Sequence, residues 1–135
     1  IPASGVAEPV THRAIDSGRI YIHMEGPEVF KAAVRHMGAT TLKTLEAAGI
    51  TKEDINMFIA HQANNRIIQA IAKRLALPEE HMYVNVNRYG NTSAASVGIA
   101  LDEVVRAGRV KHGDYVVLTG FGAGLTWGCD VMRWM

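Results

Sequence analysis

The sequence predicts an α/β domain built on a mixed sheet, and two observations carry that prediction. Twice, a short apolar run stops at a polar residue and gives way to an amphipathic helical pattern: first at Ile59-Ala60-His61-Gln62-Ala63-Asn64, then at Tyr89-Gly90-Asn91-Thr92-Ser93-Ala94-Ala95-Ser96. Near the end, two further apolar runs flank Gly120-Phe121-Gly122-Ala123-Gly124 with no helix between them, which pairs them as an antiparallel hairpin. Parallel neighbours need a crossover helix and hairpin neighbours do not, so the sheet holds both kinds of pairing.

Composition bounds the remaining possibilities. At 135 residues, with 48% hydrophobic and 20% charged residues, the chain is the size of one ordinary globular domain and is not disordered in composition. Fourteen Lys and Arg against thirteen Asp and Glu give a net charge of +1, so bulk basicity does not argue for nucleic acid. A single cysteine, Cys129, excludes an intrachain disulfide and a multi-cysteine metal site, and points to a reducing, cytoplasmic setting. His12, His23, His36, His81 and His112 have no metal-site spacing, so no metal is expected. No run of about eighteen apolar residues is present to cross a bilayer. An initial Ile in place of Met is read as the start of a piece of a longer protein.

The elements follow in order. Residues 1–18, with Pro2, Gly5, Pro9 and Gly18, read as a linker or the remnant of a preceding segment, and 19–135 as the domain. Ile20, Ile22 and Met24 alternate with polar neighbours as a short strand does. Pro27 suits a helix's first turn, and Phe30, Ala33, Val34, Met37, Leu42, Leu45 and Ala48 keep helical spacing up to Gly49, a natural C′ residue. Thr51 to Asp54 is a weak capping pattern for one turn. Asn56 to Ala60 reads as a buried strand, and Asn64 as the cap of a helix whose Ile67, Ile68, Ile71 and Leu75 share a face, ended by Leu77-Pro78. Tyr83 to Val86 reads as another strand, and Asn87 to Asn91 as a turn-rich loop. Thr92 or Ser93 is the expected cap of a helix closed by Gly108. Tyr115 to Thr119 and Leu125 to Trp134 are the hairpin strands.

His61 and Asn91 thus stand where strands hand over to helices, the place where α/β folds put chemistry. Together they offer hydrogen-bond donors without a fixed charge, which suits a developing oxyanion such as a thioester enolate. Asn91 cannot act as a base; His61 could donate or accept, and both residues could equally satisfy local backbone groups. The glycine loop fails as a dinucleotide fingerprint because it opens a strand and not a helix. It serves either close backbone approach to a ligand or a tight turn. Cys129, inside the last strand with no helix amino terminus beside it, reads as a structural residue. Lys31, Arg66, Lys73 and Arg74 form either a solvated helix face or a basic rim for a phosphate-bearing or acidic partner.

Three stretches, His61-Gln62-Ala63-Asn64-Asn65-Arg66-Ile67-Ile68, Gly90-Asn91-Thr92-Ser93-Ala94-Ala95-Ser96 and Gly120-Phe121-Gly122-Ala123-Gly124-Leu125-Thr126-Trp127-Gly128, together resemble the C-terminal half of the 3-oxoacyl-(acyl-carrier-protein) synthase III family. On these motifs the likeness runs from about Ile20 onward. The resemblance implies half of a thiolase-like αβαβα fold, a homodimer, and decarboxylative condensation of acyl-CoA with malonyl-acyl carrier protein. Coenzyme A thioester is then a substrate, with no permanently bound cofactor and no nucleic-acid or membrane partner. By the same resemblance His61 and Asn91 are the catalytic pair that stabilises the malonyl enolate, and Phe121, Gly122 and Ala123 form the pocket and oxyanion loop. Asn64 and Arg66 would contact substrate or CoA, and Lys31, Arg66, Lys73 and Arg74 would dock acyl carrier protein. The family's nucleophilic cysteine belongs to its N-terminal half, which this chain does not contain, so the chain alone is expected to be inactive. Ala123 stands where the family has glycine, and Gly-Phe-Gly-x-Gly-Leu-Thr also occurs in type III polyketide synthases. The rival expectations are a polyketide-synthase-like condensing enzyme, or a non-catalytic fragment or subunit that binds acyl carrier protein or a partner chain.

Overall fold

A computed structural model describes all residues 1–135. The chain runs α1 (His12–Asp16), α2 (Gly26–Ala47), β1 (Ile55–Ala60), α3 (Asn65–Leu75), α4 (Val86–Tyr89), α5 (Ala95–Arg106), β2 (Tyr115–Gly122) and β3 (Thr126–Arg133). The sheet order is β1-β2-β3, with β1 parallel to β2 and β2 antiparallel to β3, as the sequence predicts.

The pleat of β1 divides the core in two. Phe58 and Ala60 face a cluster with Ala33, Met37 and Leu45 of α2 and Ile68, Ile71 and Leu75 of α3. Met57 and Ile59 face Ala100 and Val104 of α5, with Val116 of β2. Side chains alternate across a strand, so helices cover both faces of the sheet. The register slips between Ile55 and Met57, and Ile55 accordingly joins Phe58 and Ala60 on the α2/α3 side. The Arg74 side chain of α3 lies against α2 at Gly38, where a Cβ would meet its Cδ at 2.8 Å.

Local signals place the ends of α2 and α3. Pro27 occupies the first turn of α2, and Gly49, at φ +69°, takes the left-handed position after its last turn. Asn64 caps α3 by accepting the Ile67 N–H at 2.9 Å, and α3 stops at Ala76 before Leu77-Pro78. The expected turn at Thr51 closes with a 2.8 Å bond from the Thr51 N–H to Asp54.

Four expectations are corrected. Residues 20–24 form no strand: with no neighbouring strand to pair with, Tyr21, Ile22 and Met24 lie 65%, 79% and 70% exposed. Residues 83–86 form no strand either, beyond an isolated bridge between Met82 and Phe58. There the Gln62 side chain replaces the missing ladder: its Oε1 accepts from Asn85 N–H (2.9 Å) and Val86 N–H (3.2 Å), and its Nε2 donates to Tyr83 O (3.2 Å). Neither Thr92 nor Ser93 caps α5; Ala94 precedes it without a side-chain bond, Ser93 sits at φ +53°, and the buried Thr92 Oγ1 has no partner. Finally, residues 1–18 contain the one-turn helix α1, capped by Thr11, where only loop is expected.

Candidate active-site cleft

One cleft of about 900 Å³ gathers most of the polar residues singled out in the sequence. His61, Asn64, Arg66, Asn91, Phe121, Gly122, Ala123 and Lys31 all line it, among apolar residues that include Met24, Pro27, Phe30, Met37 and Ile67. A mostly apolar cleft with a few convergent polar groups is the usual form of a small-molecule site.

His61 is the first residue beyond β1, where its N–H continues the parallel ladder to Thr119 O at 2.7 Å. Its Nδ1 lies 2.7 Å from Ser96 Oγ, and the same oxygen accepts the Gln62 N–H at 3.1 Å. Burial pushes the His61 pKa below the ordinary histidine value, which favours the uncharged ring.

Asn91 reaches the cleft by a different route from the expected one. It follows α4 and Gly90, at φ +68°, in an exposed loop and not at a strand end. Asn91 Oδ1 accepts the Ser93 N–H at 3.0 Å. An N–H can only meet the oxygen, so this bond fixes the carboxamide's orientation and leaves its NH₂ free to donate.

The third motif forms another wall. β2 runs through Gly120, Phe121 and Gly122, so the turn is narrower than the glycine pattern implies and centres on 123–125. Thr126 Oγ1 holds the turn by donating to Ala123 O at 3.2 Å.

Two predicted contacts have local duties as well. Asn64 lines the cleft and uses its oxygen to cap α3, leaving its NH₂ free to donate, and Arg66 lies over the Phe30 ring at 6.0 Å. The proposed basic rim divides. Lys31, paired with Glu28 at 2.9 Å, and Arg66 line the cleft, whereas Lys73 and Arg74 are exposed in the last turn of α3 and do not.

Cys129 pairs with Thr119 across the hairpin, outside the cleft, and burial pushes its thiol pKa up. No group of three or more His, Cys, Asp or Glu is arranged to hold a metal ion.

Three supporting residues escape the sequence reading. Gln62 is fully buried and bonds four backbone groups, adding Ala60 O at 2.9 Å to the three above. Glu103 gathers Tyr83 Oη (3.1 Å), Asn85 Nδ2 (2.7 Å), Arg88 Nη2 (2.8 Å) and Tyr89 Oη (2.7 Å), anchoring the segment that leads to Asn91. The Asn85 and Tyr89 bonds lead in holding its carboxyl below the usual range. Ser96 joins the two motifs directly. Only Gln62 left a signal, as an amide next to an otherwise apolar strand.

The profile described as 3-oxoacyl-(acyl-carrier-protein) synthase III C terminal matches residues 45–134. The chain belongs to this family. It is 51% identical over 134 residues to a β-ketoacyl-(acyl-carrier-protein) synthase III of Caldanaerobacter subterraneus subsp. tengcongensis, covering 99% of this chain and 40% of that protein. The likeness therefore begins before Ile20, where the motifs alone would start it. A crystal structure of the synthase III from Thermus thermophilus superposes with a TM-score of 0.82 at 57% identity, over 84% of this chain and 35% of that one. Another structure of a 3-oxoacyl-(acyl-carrier-protein) synthase III gives 0.90 at 26% identity, over 98% and 42%. The mixed sheet with helices on both faces is thus the C-terminal half of a thiolase-like fold, and the chain spans about 40% of the length of the curated relatives it matches.

Proposed function

We propose that the cleft is the malonyl-thioester half of the active site of a 3-oxoacyl-(acyl-carrier-protein) synthase III. In the intact enzyme it takes part in the decarboxylative condensation of acyl-CoA with malonyl-acyl carrier protein. The observation that carries this reading is the convergence of His61 and Asn91 on one apolar cleft, each tied by another residue so that a polar group remains for a substrate. When the malonyl C–C bond breaks, its electron pair moves onto the thioester carbonyl and the carboxylate leaves as CO₂. The new oxyanion needs donors, and preorganised donors in a water-poor site stabilise it strongly. The apolar lining also favours exchange of a charged carboxylate for neutral CO₂.

The enolate carbon then attacks an acyl thioester held on a cysteine, expelling the thiolate and forming the 3-oxoacyl product. Cys129 is ill-placed for that role, being outside the cleft with a raised pKa, so the nucleophile comes from the enzyme's N-terminal half. Residues 1–18 connect to that half, and Ala123 N–H serves the acyl oxyanion. Asn64 and Arg66 contact the CoA or carrier-protein arm. Lys31 and Arg66 at the mouth, with Lys73 and Arg74 further along α3, meet the acidic carrier protein. The working enzyme is a cytoplasmic homodimer with no permanently bound cofactor.

The test is formation of 3-oxoacyl-acyl carrier protein by the intact protein from acyl-CoA and malonyl-acyl carrier protein. Charge reversal at Lys31 and Arg66 should raise KM for the carrier protein. An intact protein that makes no condensation product from any acyl-CoA would overturn the proposal.

A further inference from the structure

We infer that Ser96 is a positioning residue that holds His61 in the tautomer protonated on Nε2, so that the ring meets the substrate as a hydrogen-bond donor and not as a base. This rests on the enolate-stabilising reading of His61 given above.

The assignment follows from where each proton can go. Ser96 is 2% exposed, in the first turn of α5, and its Oγ makes two hydrogen bonds. The Gln62 N–H can only donate, so Oγ accepts that bond. The hydroxyl's own hydrogen then needs an acceptor, and His61 Nδ1, at 2.7 Å, is the one in reach. An Nδ1 that accepts is bare. A neutral imidazole carries one proton, which therefore sits on Nε2. The opposite arrangement, Nδ1–H donating to Oγ, would leave the buried hydroxyl hydrogen unpaired, and an unmade bond costs more than a made one returns.

The same contact has a second consequence. Ser96 lies five residues beyond Asn91, on the element that follows the Asn91 loop, while His61 and Gln62 follow β1. One hydroxyl thus ties the element carrying one donor to the strand end carrying the other. Loss of CO₂ from a malonyl thioester requires no proton abstraction, so a ring locked as a donor matches the step proposed for it.

The test uses the intact enzyme with ¹⁵N-labelled histidine. His61 in the wild type should show a protonated Nε2 and a bare Nδ1. In Ser96→Ala, the proton should distribute over both nitrogens, and kcat for malonyl decarboxylation should fall about tenfold, with KM little changed, the scale of one lost hydrogen bond. Ser96→Thr, which keeps the hydroxyl, should recover the wild-type ring signature. A wild-type His61 protonated on Nδ1 would overturn the inference without recourse to any variant. So would a Ser96→Ala enzyme with unchanged tautomer and kcat while His61→Ala loses decarboxylation. If His61→Ala itself keeps full decarboxylation, it is the reading of the site that fails.

Discussion

Replacing Gln62 with Leu tests how the site is held together. The amide is fully buried and serves four backbone groups: the Asn85 and Val86 N–H donors, and the Ala60 and Tyr83 carbonyls. Leu keeps the approximate volume and removes every one of these bonds. Orphaned buried donors cost about 1–3 kcal/mol each, so the two N–H groups alone give about 2–6 kcal/mol. Carbonyls tolerate under-satisfaction better and add less. The gain from burying an apolar side chain there, about 1.5 kcal/mol or more, offsets part of this and leaves a net loss of about 3 kcal/mol. The assay is urea unfolding of the intact protein, followed by a signal from this half. With a slope of about 1–3 kcal/mol per molar urea, the midpoint should fall by about 1 M or more. The segment 85–89 should also gain faster amide exchange, because Gln62 ties the Asn85 and Val86 N–H groups to the end of β1. A midpoint within about 0.2 M of wild type would refute the claim that this side chain substitutes for a strand ladder.

Two further outcomes follow from His61 and Cys129. Burial lowers the His61 pKa, so the unfolded chain protonates first as pH falls; its contribution to stability is present above the ordinary value of 6.5 and is lost as pH drops from there through the folded value. Any change in decarboxylation that follows protonation of His61 should therefore lie below pH 6.5, and a His61-dependent change in the pH–rate profile at or above 6.5 would contradict this. Incubating the 135-residue chain with acyl-CoA should leave Cys129 unmodified by mass spectrometry, since its thiol is outside the cleft with a raised pKa. A stable acyl adduct on Cys129 with condensing activity would remove the need for an outside nucleophile.

Much of the site was legible in the sequence because its residues stand beside strong local signals. Asn64 caps α3, the 3.6-residue spacing of α2 and α3 is clear, and two apolar runs around glycines form the hairpin. What local pattern cannot report is whether a partner exists. Ile20 to Met24 alternates like a strand, yet no neighbour pairs with it. Tyr83 to Val86 is equally strand-like, but beyond one bond from the Tyr83 N–H to Phe58 O its ties run to the Gln62 side chain, 21 to 24 residues away. Ser96, too, resembles an ordinary first-turn serine until the fold brings it to His61, 35 residues distant in sequence. The expected cap at Thr92 or Ser93 failed because Asn91 Oδ1 takes the Ser93 N–H, and the chain turns through Ser93 at positive φ. Long-range side-chain hydrogen bonds thus account for the roles of Gln62, Ser96 and Glu103 that the motifs left out.

His61 and Asn91 are proposed to act on the malonyl step and not on acyl loading. The most direct measurement is single-turnover kinetics on the intact enzyme, following acylation by acyl-CoA and CO₂ release from malonyl-acyl carrier protein separately, in His61→Ala and Asn91→Asp. Asn91→Asp keeps an oxygen for the Ser93 N–H but replaces the donating NH₂ with a second acceptor. Acylation should proceed near the wild-type rate in both variants, while CO₂ release falls about 10²–10³-fold, as for loss of one oxyanion donor. CO₂ release at the wild-type rate in both variants would contradict the account.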